Sequence, residues 1–202
     1  TLLYPKWIPG EHGPSGPITD LVGIHFRAGD RELPWRRDPA DMFTFLLEVP
    51  KGVGSLEASF DFLFPAARRG SVDSDSATAE LVVINWNQVL LYPAGPPAAA
   101  IRYAPSLRLP PGWKHGTALL PTGSPAPAGG AAAETGSTAA ERLQFAPVSL
   151  ETLVDSPVIA GAHLRSVDLA PGDPVPQTIE IAADSEGALA MSEARVVNYR
   201  RL

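Results

Sequence analysis

Four histidines, His12, His25, His115 and His163, are the only imidazoles in the chain, and no two lie three to five residues apart. A helical H-E-x-x-H places two imidazoles on one face to hold zinc, with the glutamate as general base. Nothing in this sequence has that spacing. Glu11-His12-Gly13 is the most ligand-like group, although a loop histidine bonded to backbone is the commoner role. His25 sits between Ile24 and Phe26 on the expected solvent face of a strand. Cysteine is absent, which removes disulfides, thiolate zinc sites, iron–sulfur clusters and cysteine nucleophiles together. Gly123-Ser124-Pro125 lacks the G-x-S-x-G elbow of a hydrolase serine. Gly10 to Gly16 reads G-x-x-G-x-x-G, but no Lys-Ser/Thr follows and no βαβ unit surrounds it, so it is no phosphate loop. The carboxylate pairs Asp38/Asp41 and Asp73/Asp75 read as solvated turn residues. Arg36-Arg37 and Arg68-Arg69 are too isolated to make a basic patch. Of the four tryptophans, Trp35 and Trp86 read as core. Trp7 and Trp113, beside Pro, Gly and Lys, leave a binding role open. The residues thus contain no self-contained catalytic machinery.

The elements that must position these groups are predominantly strands. The chain has 202 residues, of which 45% are hydrophobic, enough for a packed core. Pro 22 and Gly 18 make about one residue in five a helix breaker, which excludes a helical bundle. A net charge of -6 disfavours a nucleic-acid partner. No apolar run reaches the roughly 18–20 residues that span a bilayer. The sequence does not decide the compartment; the cytoplasm is preferred to the periplasm. Arginine outnumbers lysine and alanine is abundant, as in a high-GC bacterial source.

Pro5, Pro9, Pro14 and Pro17 forbid a helix in the first stretch and stiffen it as a loop. Leu21 to Ala28 reads as a strand, with a turn at Gly29-Asp30. Phe43, Phe45, Leu47 and Val49 alternate with polar neighbours. So do Leu56, Ala58, Phe60 and Phe62, and period 2 marks half-buried strands. Phe45, Phe60 and Phe62 are expected in the core. Glu80 to Tyr92 is expected to form one or two buried strands with an irregularity near Asn85–Asn87. Further strands are expected at Ile101–Leu109, Trp113–Leu120, Leu143–Val148, Val158–Ala162, Leu164–Leu169 and Thr178–Ala183. Thr122 to Ala140 has no large apolar residue and reads as an exposed loop. Ala188 to Leu202 fits a helix that stops without a cap, as in an excised piece. The fold class expected is mainly β: an antiparallel β-sandwich over residues 1–187 with a short C-terminal helix over 188–202.

Tyr4-Pro5-Lys6-Trp7-Ile8-Pro9-Gly10-Glu11-His12-Gly13-Pro14 resembles the N-terminal region of the glycyl aminopeptidase family of zinc metallopeptidases (peptidase family M sixty-one). Four later stretches are similar in the same order. They are Trp35-Arg36-Arg37-Asp38-Pro39 with Asp41-Met42; Trp86-Asn87-Gln88 with Leu90-Leu91-Tyr92-Pro93-Ala94-Gly95; Leu109-Pro110-Pro111-Gly112-Trp113 with Thr117-Ala118-Leu119; and Ser149 to Val158. Asn198 to Leu202 looks like the start of the helix leading into that family's catalytic domain. The low-complexity stretch Thr122 to Ala140 departs from the family pattern.

The resemblance implies a non-catalytic N-terminal β-sandwich whose parent is a zinc metallo-aminopeptidase. This chain would hold no metal of its own. Zinc would belong to the parent's catalytic domain, which would be the partner packed against this one, with peptide substrate near the interface. The interface or cleft candidates are Trp7, Glu11, His12, Trp86, Asn87 and Tyr92. The other reading is a free-standing module binding peptide or carbohydrate through Trp7, Trp113 and Tyr103.

Overall fold

Successive side chains of an extended backbone point to opposite faces, so alternating sequences settle as strands with one buried side. The computed structural model describes residues 1–8, 10–64, 76–122 and 142–201. The expected low-complexity loop therefore lies almost wholly outside the described residues. The first strands are β1 (Leu2–Leu3), β2 (Leu21–Ala28), β3 (Arg31–Glu32), β4 (Trp35–Arg37), β5 (Thr44–Leu47) and β6 (Glu57–Phe62). Then come β7 (Ser76–Ala77), β8 (Leu81–Ile84), β9 (Tyr92–Pro93), β10 (Arg102–Tyr103), β11 (Ser106–Arg108) and β12 (Lys114–Thr117). β13 (Arg142–Gln144) and β14 (Val148–Ser149) lead into helix α1 (Leu150–Val154). β15 (Val158–Gly161), β16 (His163–Asp168), β17 (Thr178–Ala183) and helix α2 (Glu193–Tyr199) complete the order. The protein is mainly β, every strand pairing is antiparallel, and a short helix lies at the C-terminal end.

The chain divides into two compact units, one of residues 1–74 and 86–101, the other of 75–85 and 102–202. In the first, one sheet has the order β4-β5-β1-β9 and a second the order β3-β2-β6. Phe45 from the first sheet and Leu21 and Phe26 from the second share one core with Tyr4, Ile18, Leu33 and Phe43. Two sheets closing on one apolar layer make this unit a small antiparallel sandwich. Phe45 is completely buried. Its ring meets Phe26 at 6.0 Å and Trp35 at 5.5 Å, with the Arg37 guanidinium 4.7 Å from its centroid.

Phe60 and Phe62 are only half-buried, contrary to the core expectation. The physical reason is position. β6 ends the sheet order and pairs with β2 alone, so its neighbours cover it less completely. Leu56 and Val49, also expected inward, are exposed, because β6 and β5 begin and end inside those positions.

In the second unit β12-β15-β8-β7 forms the main sheet, beside the pairs β10-β14, β11-β13 and β16-β17. The long apolar run divides as its asparagines imply: β8 ends at Ile84 and a 3₁₀ turn occupies Trp86–Gln88. Helix α1 was not expected. Ser149 caps it by accepting the Thr152 N–H, and it buries Leu150 and Leu153. Helix α2 begins only at Glu193, where the Ser192 side chain accepts the Arg195 N–H. A 3₁₀ turn over Glu186–Leu189 fills the earlier part of the expected helix.

Candidate functional site

The Pro-rich first loop grows directly out of a sheet. β1 pairs with β5, Leu2 opposite Phe45 and Leu3 opposite Thr44. The same register runs on past the strand, since the Tyr4 N–H donates to the Phe43 carbonyl at 2.9 Å. Tyr4 is buried, stacks on Phe43, and donates its hydroxyl to the Gln88 carbonyl at 2.8 Å. Two residues further, this register brings Lys6 opposite Asp41, and their side chains pair at 2.7 Å.

Asp41 is a hub. Besides Lys6 it accepts the Phe43 N–H at 3.2 Å and the Thr44 hydroxyl at 3.3 Å. The hydrogen bond from the Lys6 ammonium, then that from the Phe43 N–H, hold its carboxyl below the usual range. Tyr92, opposite Leu3 on β9, lies within the field of this pair. Burial pushes its phenol up, the Lys6 charge opposes that, and the Asp41 charge adds to it. Arg37 donates to the Met42 carbonyl at 2.7 Å, and burial lowers its pKa from the ordinary value.

The return of the loop is fixed by a glycine. The Gly16 N–H donates to the Lys6 carbonyl at 3.0 Å. A Cβ at Gly16 would stand 2.1 Å from the Pro5 carbonyl oxygen and 3.0 Å from the Lys6 Cα, so only glycine permits this approach. Between these anchors Ile8 turns inward and is buried, while Trp7 turns outward and stays 62% exposed. Glu11 and His12 are exposed beyond it. Met42, beside the anchoring Asp41, is 50% exposed. The loop therefore displays a large aromatic from a base tied by an ion pair and a backbone clamp.

The other three candidates lie deeper in the same unit. Asn87 is buried at 8% exposure, and its Oδ1 has no hydrogen-bond partner among the described residues. Trp86 and Tyr92 are half-buried. The structure thus displays Trp7, Glu11 and His12, encloses Asn87, and places Tyr92 beside the Lys6–Asp41 pair. Lys6, Asp41, Gly16 and Met42 were not singled out as site residues from the sequence. Only the strand register, which joins positions 35 residues apart, reveals the ion pair.

Among the described residues no three His, Asp or Glu side chains converge. His25 pairs with Glu32 at 2.9 Å and His163 with Glu186 at 3.4 Å, each as a lone surface pair. His115 is buried in the second unit, edge-on to Phe145 at 6.0 Å, and burial lowers its pKa. Trp113 and Tyr103 are half-buried.

Comparison with known proteins bears on what such a domain serves. The profile of the family described as Peptidase M61 N-terminal domain matches residues 1–162. Among solved structures, an aminopeptidase N family protein from Idiomarina loihiensis superposes with a TM-score of 0.63 at 18% sequence identity. The alignment covers 90% of this chain and 27% of that one. The chain therefore spans about a quarter of that protein's length, and at this identity the likeness is one of fold. No curated protein matches the sequence.

Proposed function

The chain belongs to the Peptidase M61 N-terminal domain family, and from that we propose that it is the non-catalytic β-domain of a glycyl-aminopeptidase-like zinc metallopeptidase. Its role is to pack on the catalytic domain of the same polypeptide and help wall the peptide-binding cleft. Zinc and the hydrolytic step belong to that other domain; the described residues of this one offer no ligand set for the metal.

The observation that carries this reading is Trp7. An indole 62% exposed on a loop that is anchored at both sides loses little conformational freedom on docking. A large apolar side chain held exposed on a fixed base is what a contact surface presents, and Met42, 50% exposed, lies next in sequence to the residue that anchors this loop. Contacts between domains of one chain bury about 600–1,500 Å², which one tryptophan and its surroundings can nucleate. Glu11 and His12 at the loop tip supply the polar groups that such a wall would turn towards peptide.

The test is to mix this chain with the separately expressed catalytic domain. Addition should raise the melting temperature or the aminopeptidase activity of that domain, and Trp7→Ala should weaken the effect. No association at tens of micromolar would refute the proposal.

A further inference from the structure

The second unit carries a cleft that the docking reading does not use. Its floor is a cross-strand row of the main sheet, Gly116 opposite Ile159 and Ile159 opposite Val83. Thr178 and Glu180 of β17 line it with these, and its volume is about 400 Å³, within the range of small ligand sites. Among the described residues Glu180 is the only charged one lining it.

Two features seat this carboxylate over the sheet. The Ser166 hydroxyl donates to Glu180 Oε2 at 2.5 Å. Gly116 leaves the room, since a Cβ there would stand 2.4 Å from Glu180 Cγ and 2.9 Å from Cδ. Among the described residues no cation pairs with Glu180. The Thr117 hydroxyl is satisfied within the protein, donating to the Ser156 carbonyl at 3.4 Å and accepting the Leu119 N–H at 3.3 Å, so it offers a ligand nothing and Glu180 supplies the charge. One carboxylate with no cation partner among the described residues, set among Val83, Ile159, Pro157 and Ala118, complements an alkyl chain ending in a cation.

The geometry points to a lysine-binding cleft: Glu180, over Gly116, takes the ammonium of a lysine side chain from a partner polypeptide, whose methylene stem lies on Val83 and Ile159. The apolar walls match the four-carbon stem, and the net charge of -6 favours a basic partner. The inference is independent of the Trp7 reading and does not need the catalytic domain.

The probe is a blocked pentapeptide, acetyl-Ala-Ala-Lys-Ala-Ala-amide, titrated into the 202-residue chain while backbone amide shifts are followed. Shifts should concentrate at residues 116–118, 157–159 and 178–180. Glu180→Gln, which keeps size and the Ser166 contact, should weaken binding about tenfold with an unchanged melting temperature, as expected for loss of a charged hydrogen-bond partner. Gly116→Ala, which displaces Glu180, should do the same. The norleucine peptide should bind correspondingly more weakly. Equal binding of the lysine and norleucine peptides, no effect of either variant, or no shifts at millimolar peptide would overturn the assignment. Free butylamine binding as tightly as the peptide would overturn the polypeptide as its ligand.

Discussion

Phe45→Ala removes the side chain on which the first unit closes. The ring is fully buried and meets Phe26, Trp35 and the Arg37 guanidinium at centroid distances of 6.0, 5.5 and 4.7 Å. Those neighbours belong to β2 and β4, one strand from each sheet, so both sheets of the sandwich border the void. Deleting a buried phenylalanine costs about 3–5 kcal/mol through lost transfer energy and a residual cavity. Strands held by ladders on two sides cannot collapse into that space, which places this site in the upper half of the range. Against a total stability of roughly 5–15 kcal/mol, the variant retains only part of its margin. Phe60→Ala is the internal control. Phe60 is half-buried on the edge strand β6, so its truncation should cost about 1–2 kcal/mol, the transfer term without a closed cavity. Urea unfolding followed by circular dichroism reads the difference: Phe45→Ala should move the midpoint down by about 1–2 M, and Phe60→Ala by a fraction of that. A loss below about 1 kcal/mol for Phe45→Ala, or an equal loss for Phe60→Ala, would refute the packing argument.

Gly16→Ala should destabilise by about 1–3 kcal/mol, because the new methyl meets the Pro5 carbonyl rather than a movable side chain; thermal unfolding checks it, and an unchanged melting temperature would contradict the clamp. Trp7→Ala should change stability by less than about 0.5 kcal/mol, as an exposed residue does; a large loss in urea titration would mean that the indole packs internally. His115 gives a pH dependence. Burial lowers its folded pKa below the unfolded value, so the unfolded chain binds the proton more readily. The stability from the neutral buried form is fully present above about pH 6.5. It is lost as pH falls through the folded value. His115→Phe should flatten that part of the melting-temperature profile between pH 8 and 5, and an unchanged slope would refute the assignment.

Much of the strand pattern was legible because it is local. Leu21–Ala28 is the predicted strand at its predicted bounds, and the break between β8 and β9 falls where Asn85 and Asn87 interrupt the apolar run. Depth was not legible. Phe45 and Phe60 have the same alternation, yet one is central and the other lies on an edge, which only the sheet order decides. Helix α1 escaped notice because five residues with a β-branched Thr152 and Val154 carry no helical period. Its Ser149 cap and buried Leu150 and Leu153 supply what propensity does not. At the site, Trp7, Glu11 and His12 could be picked out by their unusual loop. The Lys6–Asp41 pair could not, since it follows from the register of β1 against β5.

If this chain packs on a catalytic domain as proposed, the Trp7 face is covered in the longer polypeptide. Hydrogen exchange of the amides around Trp7 and Met42 measures this, in this chain alone and in the same chain joined to the proposed catalytic domain. Exchange of residues 6–16 and 40–43 should be slower in the joined form, with the β6 edge unchanged. Equal exchange in the two forms, with the Trp7 indole still open to solvent quenchers, would contradict it.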